Sequence, residues 1–127
     1  MSQSIVREKS FAFTPEIISL YKQLQSEKEF VLSKQVLRSG TSIGANIEEA
    51  LAGQSRRDFL AKMSIASKEA RETRYWLVLL QQSKLTKLDL KPPIGQVESL
   101  IRILTSIVKT TAESSEATQN SKPKTQN

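Results

Sequence analysis

Lys34, Arg38, Ser42 and Asn46 recur at a spacing of four and lead toward Glu49. On a helix they make one polar stripe. Ser and Asn are poor helix-interior residues whose side chains compete for backbone hydrogen bonds, so their presence points to specific contacts. Three fates are open to the stripe. It is a solvated face, a network across a helix interface holding Arg38 against Glu49 or Glu72, or a surface turned to a ligand.

Arg56, Arg57, Lys62, Lys68, Arg71 and Arg74 form a second group and, with Lys34 and Arg38, can line a phosphate-binding surface. Phosphate contacts need only positive charge and donors along the backbone, so no strict motif is required. Glu69 and Glu72 interleave with these cations, and Lys68 stands four residues before Glu72. Glu69 has no base at three or four positions, where Ile65, Ala66, Glu72 and Thr73 stand, so a partner for it must come from another helix. Tyr75 and Trp76 offer rings that stack on unpaired bases, although aromatics on a widely apolar helix more often enter a core or a subunit interface.

Glu48, Glu49, Glu69 and Glu72 can in principle converge as the carboxylates of a di-metal bundle do. Such sites also use Glu-x-x-His, and the chain has no His. It has no Cys either, which removes thiolate nucleophiles, disulfides and the usual zinc sites. Neither catalysis nor a cofactor is expected. Among 127 residues, 19 basic against 13 acidic side chains give a net +6, which favours an anionic partner over pure solubility charge. Residues 114–127 hold two Lys and one Glu, a net +1, which leaves +5 for the rest. The N-terminal MSQSIVREKS has no apolar signal region, and the longest apolar run, Tyr75 to Leu80, is far short of a membrane span. A cytoplasmic protein without a membrane partner is expected.

The elements that position these residues follow from helical periods. Ile5, Val6, Phe11 and Phe13 show no clear period, and Thr14-Pro15 suits an N-cap and first helical position. A first helix is therefore established by Pro15, or starts earlier and kinks there. Ile17, Ile18, Leu20, Tyr21 and Leu24 make its face, and Glu27-Lys28-Glu29 marks the turn. Ser33 can cap a second helix with the seam Val36, Gly40, Ile43, Ile47 and Ala50, ending near Gly53. Gly40 and Gly44 each cost roughly 1 kcal/mol of helix propensity against Ala, which implies a packing reason for both.

Ser55 caps a third helix with Asp58 in its first turn, and Phe59, Met63, Ala66, Ala70, Thr73, Leu77 and Leu80 alternate at four and three. A second line, Leu60, Ile65, Trp76 and Leu79, widens its buried face. Residues 83–91 read as a loop anchored by Leu85 and Leu88, with Asp89 or Lys91 leading into Pro92-Pro93 at a fourth helix. Ile94, Val97, Ile101, Leu104 and Val108 form its seam, flanked by Leu100, Ile103 and Ile107. Beyond Glu113 no large apolar residue remains, so residues 1–113 are expected to form one domain and 114–127 a disordered polar tail. Without strand alternation, an all-α, antiparallel up-down-up-down four-helix bundle is the economical fold.

The runs VLSKQVLRSGTSIGANIEEA at 31–50 and KEARETRYWLVLL at 68–80 closely resemble the four-helix-bundle family first described as proteins encoded in 23S rRNA intervening sequences. Weaker agreement extends from about Ser10 to Lys109. Relatives carry Pro where this chain has Gly44, and their first helix looks continuous where this chain has Thr14-Pro15. The resemblance implies a bundle assembling into a ring-shaped homopentamer. It also points to the accessory variability determinant protein of diversity-generating retroelements, a basic pentamer that binds nucleic acid and a reverse transcriptase.

Together these features lead to a non-enzymatic homo-oligomer that binds RNA or DNA through Lys34, Arg38, Arg56, Arg57, Lys68, Arg71 and Arg74. Arg38, Ser42, Asn46, Glu49 and Glu72 are the expected structural network. The alternative is an interaction scaffold, such as an adaptor for a reverse transcriptase, without direct nucleic-acid contact.

Overall fold

The computed structural model describes residues 2–120, and expectations for residues 121–127 lie outside it. Four helices occupy the described residues, α1 (Ser2–Ser26), α2 (Leu32–Ala52), α3 (Arg56–Gln82) and α4 (Lys91–Asn120), which contain no strand. Helix α2 packs on α3, α3 on α4, and α1 on both α2 and α4, while the diagonal pairs stay apart. Arg7 meets Glu48, Glu49 meets Lys62 and Arg74 meets Glu98, so an early residue of each helix faces a late residue of its neighbour. The result is an antiparallel four-helix bundle. No helix among the described residues is long and apolar enough to cross a membrane.

Helix α1 runs unbroken through Pro15, so Thr14-Pro15 is not its start. Val6, Ser10, Phe13, Ile17, Leu20 and Leu24 are all buried at alternating spacings of four and three, one seam that continues across the proline. The polar Ser10 hides this period from an apolar count. Pro15 lies on the exposed side with Phe11, whose carbonyl has lost its usual donor, so water can meet the freed group. Burial of the seam on both sides outweighs the missing bond.

The α1–α2 turn puts Lys28 in the left-handed region at φ 65°. Ser33 does not cap α2. Glu29 does so from outside the helix, its carboxylate accepting the backbone N–H groups of Val31, Leu32 and Ser33 at 3.2, 3.1 and 2.6 Å. Ser33 is buried in the first turn, where its hydroxyl donates to the Glu29 carbonyl at 2.7 Å. One carboxylate satisfies three orphan donors where a serine hydroxyl would satisfy one.

The seam of α2 is buried from Val36 to Ala50, and its glycines let α1 approach. A Cβ at Gly40 would stand 2.8 Å from Ile17 Cγ2, and one at Gly44 would stand 2.9 Å from Ser10 Oγ. In α3, Ser55 Oγ accepts the Asp58 N–H at 3.0 Å, and the seam from Met63 to Leu80 is fully buried with Phe59 packed beside it. The second line is only half covered, with Ile65 exposed.

Three expectations for α4 change. Its anchor is Leu90, 1% exposed, with Leu88 partly buried, whereas Leu85 projects at 49%. The buried line is Val97, Leu100, Leu104 and Ile107, while Ile94, Ile101 and Val108 are only partly covered. Helix α4 touches both α3 and α1, so its deepest line points between them, and two equally apolar lines gave no way to choose. The helix also continues past Glu113 to Asn120, because no Gly or Pro interrupts residues 114–120. Asp89 Oδ1 accepts the Lys91 N–H at the start of the helix, at 3.1 Å.

Glu29→Ala is expected to lower stability by about 1–2 kcal/mol, the size of a lost N-cap, in urea unfolding. Gly40→Ala is expected to destabilise, because overpacking against buried Ile17 costs about 1–3 kcal/mol and exceeds the propensity gain of about 1 kcal/mol. Gly95→Ala meets nothing within 4 Å and should stabilise by about 0.5–1 kcal/mol in the same assay.

Candidate nucleic-acid interface

The Arg38 guanidinium crosses from α2 to α3, where it bonds the Glu72 carboxylate and lies 3.6 Å from Glu69 Oε1. Glu69, with no base three or four positions away on its own helix, thus has its partner on another. Glu72 Oε2 also accepts the Trp76 indole N–H at 3.0 Å, and Arg38 Nε donates to Gln35 Oε1 at 3.3 Å. This is a shared network, stronger than an isolated surface pair because each group holds the others in place. Glu72 therefore turns to α2, and Lys68 makes no ion pair among the described residues.

The other stripe residues do not join it. Asn46 Nδ2 donates to the Ser42 carbonyl at 2.9 Å and to Ser42 Oγ at 3.0 Å, a contact within one turn of α2. Glu49 pairs with Lys62 at 2.7 Å. Arg38, Ser42, Asn46, Glu49 and Glu72 are consequently divided among three local arrangements. The four glutamates do not converge, since Glu48 bonds Arg7 on the α1 side. That hydrogen bond, with the attraction between the charges, raises the Arg7 guanidinium above its ordinary pKa.

A polar contact missed by the sequence reading lies deeper. Thr73 Oγ1 is 2.9 Å from Ser39 Oγ, and both residues are fully buried. Thr73 also reaches the Glu69 carbonyl at 2.7 Å, and the Ser39 hydroxyl donates to the Gln35 carbonyl at 2.9 Å. Its sequence signal was position alone, since Ser39 stands three after Val36 and four before Ile43 on the buried seam.

The expected phosphate-binding cations fall on different sides of α3. Arg38 is engaged on the α2 side, and Lys34 is exposed on α2 without an ion pair among the described residues. On the α4 side, Arg71 Nη2 donates to Thr105 Oγ1 at 2.8 Å and Arg74 Nε pairs with Glu98 at 2.8 Å. Arg71, Arg74, Glu98 and Ile101 line an open depression of about 500 Å³ together with Arg102, which the sequence reading passed over. Lys68 is exposed one turn before Arg71. At the helix start Arg57 is exposed, and Arg56 bonds the Ser114 hydroxyl. Tyr75 is 58% exposed and meets Trp76 edge to face, with centroids 5.1 Å apart.

These features define an all-helical bundle whose α3 carries acids engaged by α2 on one flank and arginines toward α4 on the other. The chain belongs to the 23S rRNA-intervening sequence protein family, whose profile matches residues 2–109. A crystal structure of a protein of unknown function from the S23 ribosomal protein family of Bacteroides thetaiotaomicron VPI-5482 is similar to it. The two share 48% identity over 86% of this chain and 99% of that one, with a TM-score of 0.81. No curated protein matches the chain.

Arg38→Ala and Glu72→Ala are each expected to lower stability by about 1 kcal/mol, and the double variant by clearly less than their sum. A double-mutant cycle in urea checks the coupling.

Proposed function

We propose that this chain is a non-enzymatic, homo-oligomeric helical-bundle protein of the cytoplasm that binds RNA or DNA through cations centred on α3. The observation that carries the reading is the charge balance of the α3–α4 depression, where Arg71, Arg74 and Arg102 stand with Glu98 as the one carboxylate. Lys68 extends the row, and Arg57 continues it toward the start of α3. Arg71 is satisfied by a neutral hydroxyl, so its charge remains available to a phosphate. Arg38 contributes less than the sequence suggested, because two glutamates already neutralise it.

Exposed Phe11, at 75%, and Ile18 on α1 support self-association, as does the resemblance to ring-shaped homopentamers. Assembly would repeat the cationic row and sum its phosphate contacts. The lack of His and Cys supports a role without catalysis. A second reading, an adaptor that holds another protein such as a reverse transcriptase, draws on the same Phe11, which borders a groove with Pro15, Thr41, Gly44 and Ala45.

Fluorescence anisotropy with labelled RNA and DNA across a salt series tests the reading, with light scattering to report the assembly. Affinity is expected to fall linearly on a log–log plot. Arg71→Gln with Arg102→Gln should reduce the slope by about two for each protomer that contacts the strand. Binding indifferent to salt would overturn the proposal, and no binding at low salt would favour the adaptor.

A further inference from the structure

Among the aromatic residues of α3, Tyr75 is the exposed one, at 58%, while Phe59 and Trp76 are partly buried. Lys68, Arg71 and Tyr75 are spaced by three and four, so they share one face of the helix. All three are exposed, with the Arg71–Arg74–Arg102 depression alongside. Behind the ring is a brace. Trp76 touches Tyr75 edge to face at an interplanar angle of 67°, its indole N–H is held by Glu72, and Glu72 is held by Arg38 from α2. Beside this contact Tyr75 remains 58% exposed.

We propose that Tyr75 is a stacking platform for an unpaired base, and that the outer face of α3 is a site for single-stranded nucleic acid. This rests on the nucleic-acid reading above and narrows its ligand class. An aromatic ring held in place on a helix loses little freedom when a base stacks on it, and every base has a face to offer. Arg71 and Lys68, one and two turns away on the same face, are placed for the phosphates flanking the stacked nucleotide. In a duplex the bases already stack on one another, so only the cations would be used. The Arg38–Glu72–Trp76 network then acquires a positioning role, since it fixes the surface against which Tyr75 rests.

The test compares one unstructured RNA oligonucleotide, single-stranded and annealed to its complement, by fluorescence anisotropy at fixed low salt. Tyr75→Ala is expected to weaken single-strand binding about tenfold or more, while Tyr75→Phe keeps it, in line with the known strength of base–aromatic stacking. Duplex binding and the salt slope should be unchanged by either variant. Arg71→Gln with Arg102→Gln should weaken both forms. If Tyr75→Ala left single-strand binding intact, or weakened both forms equally, while the arginine variant still reduced affinity, the stacking site would be overturned and the cationic reading would stand. If the unaltered protein bound neither form, the cationic reading would fall and this one with it. Light scattering of Tyr75→Ala closes the remaining route, because a changed assembly size would assign the ring to a subunit contact and overturn the proposal.

Discussion

The register of α2 against α3 is the constraint on which the rest depends. Val36, Ile43, Met63, Ala66, Ala70 and Leu77 bury apolar surface between and beside these helices, but such burial is non-directional and tolerates sliding. The hydroxyls of Ser39 and Thr73 do not. They meet at 2.9 Å with no exposure to solvent, each also bonded to a carbonyl of its own helix, and a shift of one turn would part them and lose the one polar contact they make across the interface. In the observed register no buried side-chain polar atom among the described residues lacks a partner. The same register brings Arg38 to Glu72 and Glu69 at one level and Lys62 to Glu49 at another.

The other packings follow from small residues. Gly40 and Gly44 open one flank of α2 to Ile17, Ser10 and Thr14 of α1, an approach that any side chain at Gly40 would obstruct. Close approach there keeps the α1 seam buried on both sides of Pro15, and a proline inside a helix is tolerated where its bare carbonyl partner faces outward. Helix α4 then closes the bundle against α1 and α3, with its deepest line set by those two neighbours.

Charge is sorted by this arrangement. Along α3, acids and bases alternate in sequence, but helical geometry sends Glu69 and Glu72 toward α2 and Arg71 and Arg74 toward α4. Arg38 offsets one of the two negative charges on the first flank. Glu98 balances part of the second, where Arg102 adds another cation. A moderate net charge thereby becomes locally uneven, which is the condition for attracting a polyanion. The polar network and the cationic row are neighbours with separate tasks, one organising an interface and the other left to solvent.

Helix number, helix type and the buried seams of α2 and α3 were determined by the sequence itself, because a period of 3.6 residues written in apolar side chains needs no partner to be legible. Ser55 as the cap of α3 was legible for the same reason, since the contact is local. Tertiary structure alone decided what depended on reach between segments. Glu29 replaced Ser33 as the cap of α2 because a longer side chain could return from the preceding turn. The path of α1 through Pro15, and the choice of Val97, Leu100, Leu104 and Ile107 in α4, were set by what lay opposite. The polar stripe showed the same limit. Spacings of four and three placed Arg38, Ser42, Asn46 and Glu49 near one another on α2, but their partners came from α3 or from their own turn, and a sequence does not state the distance between two helices.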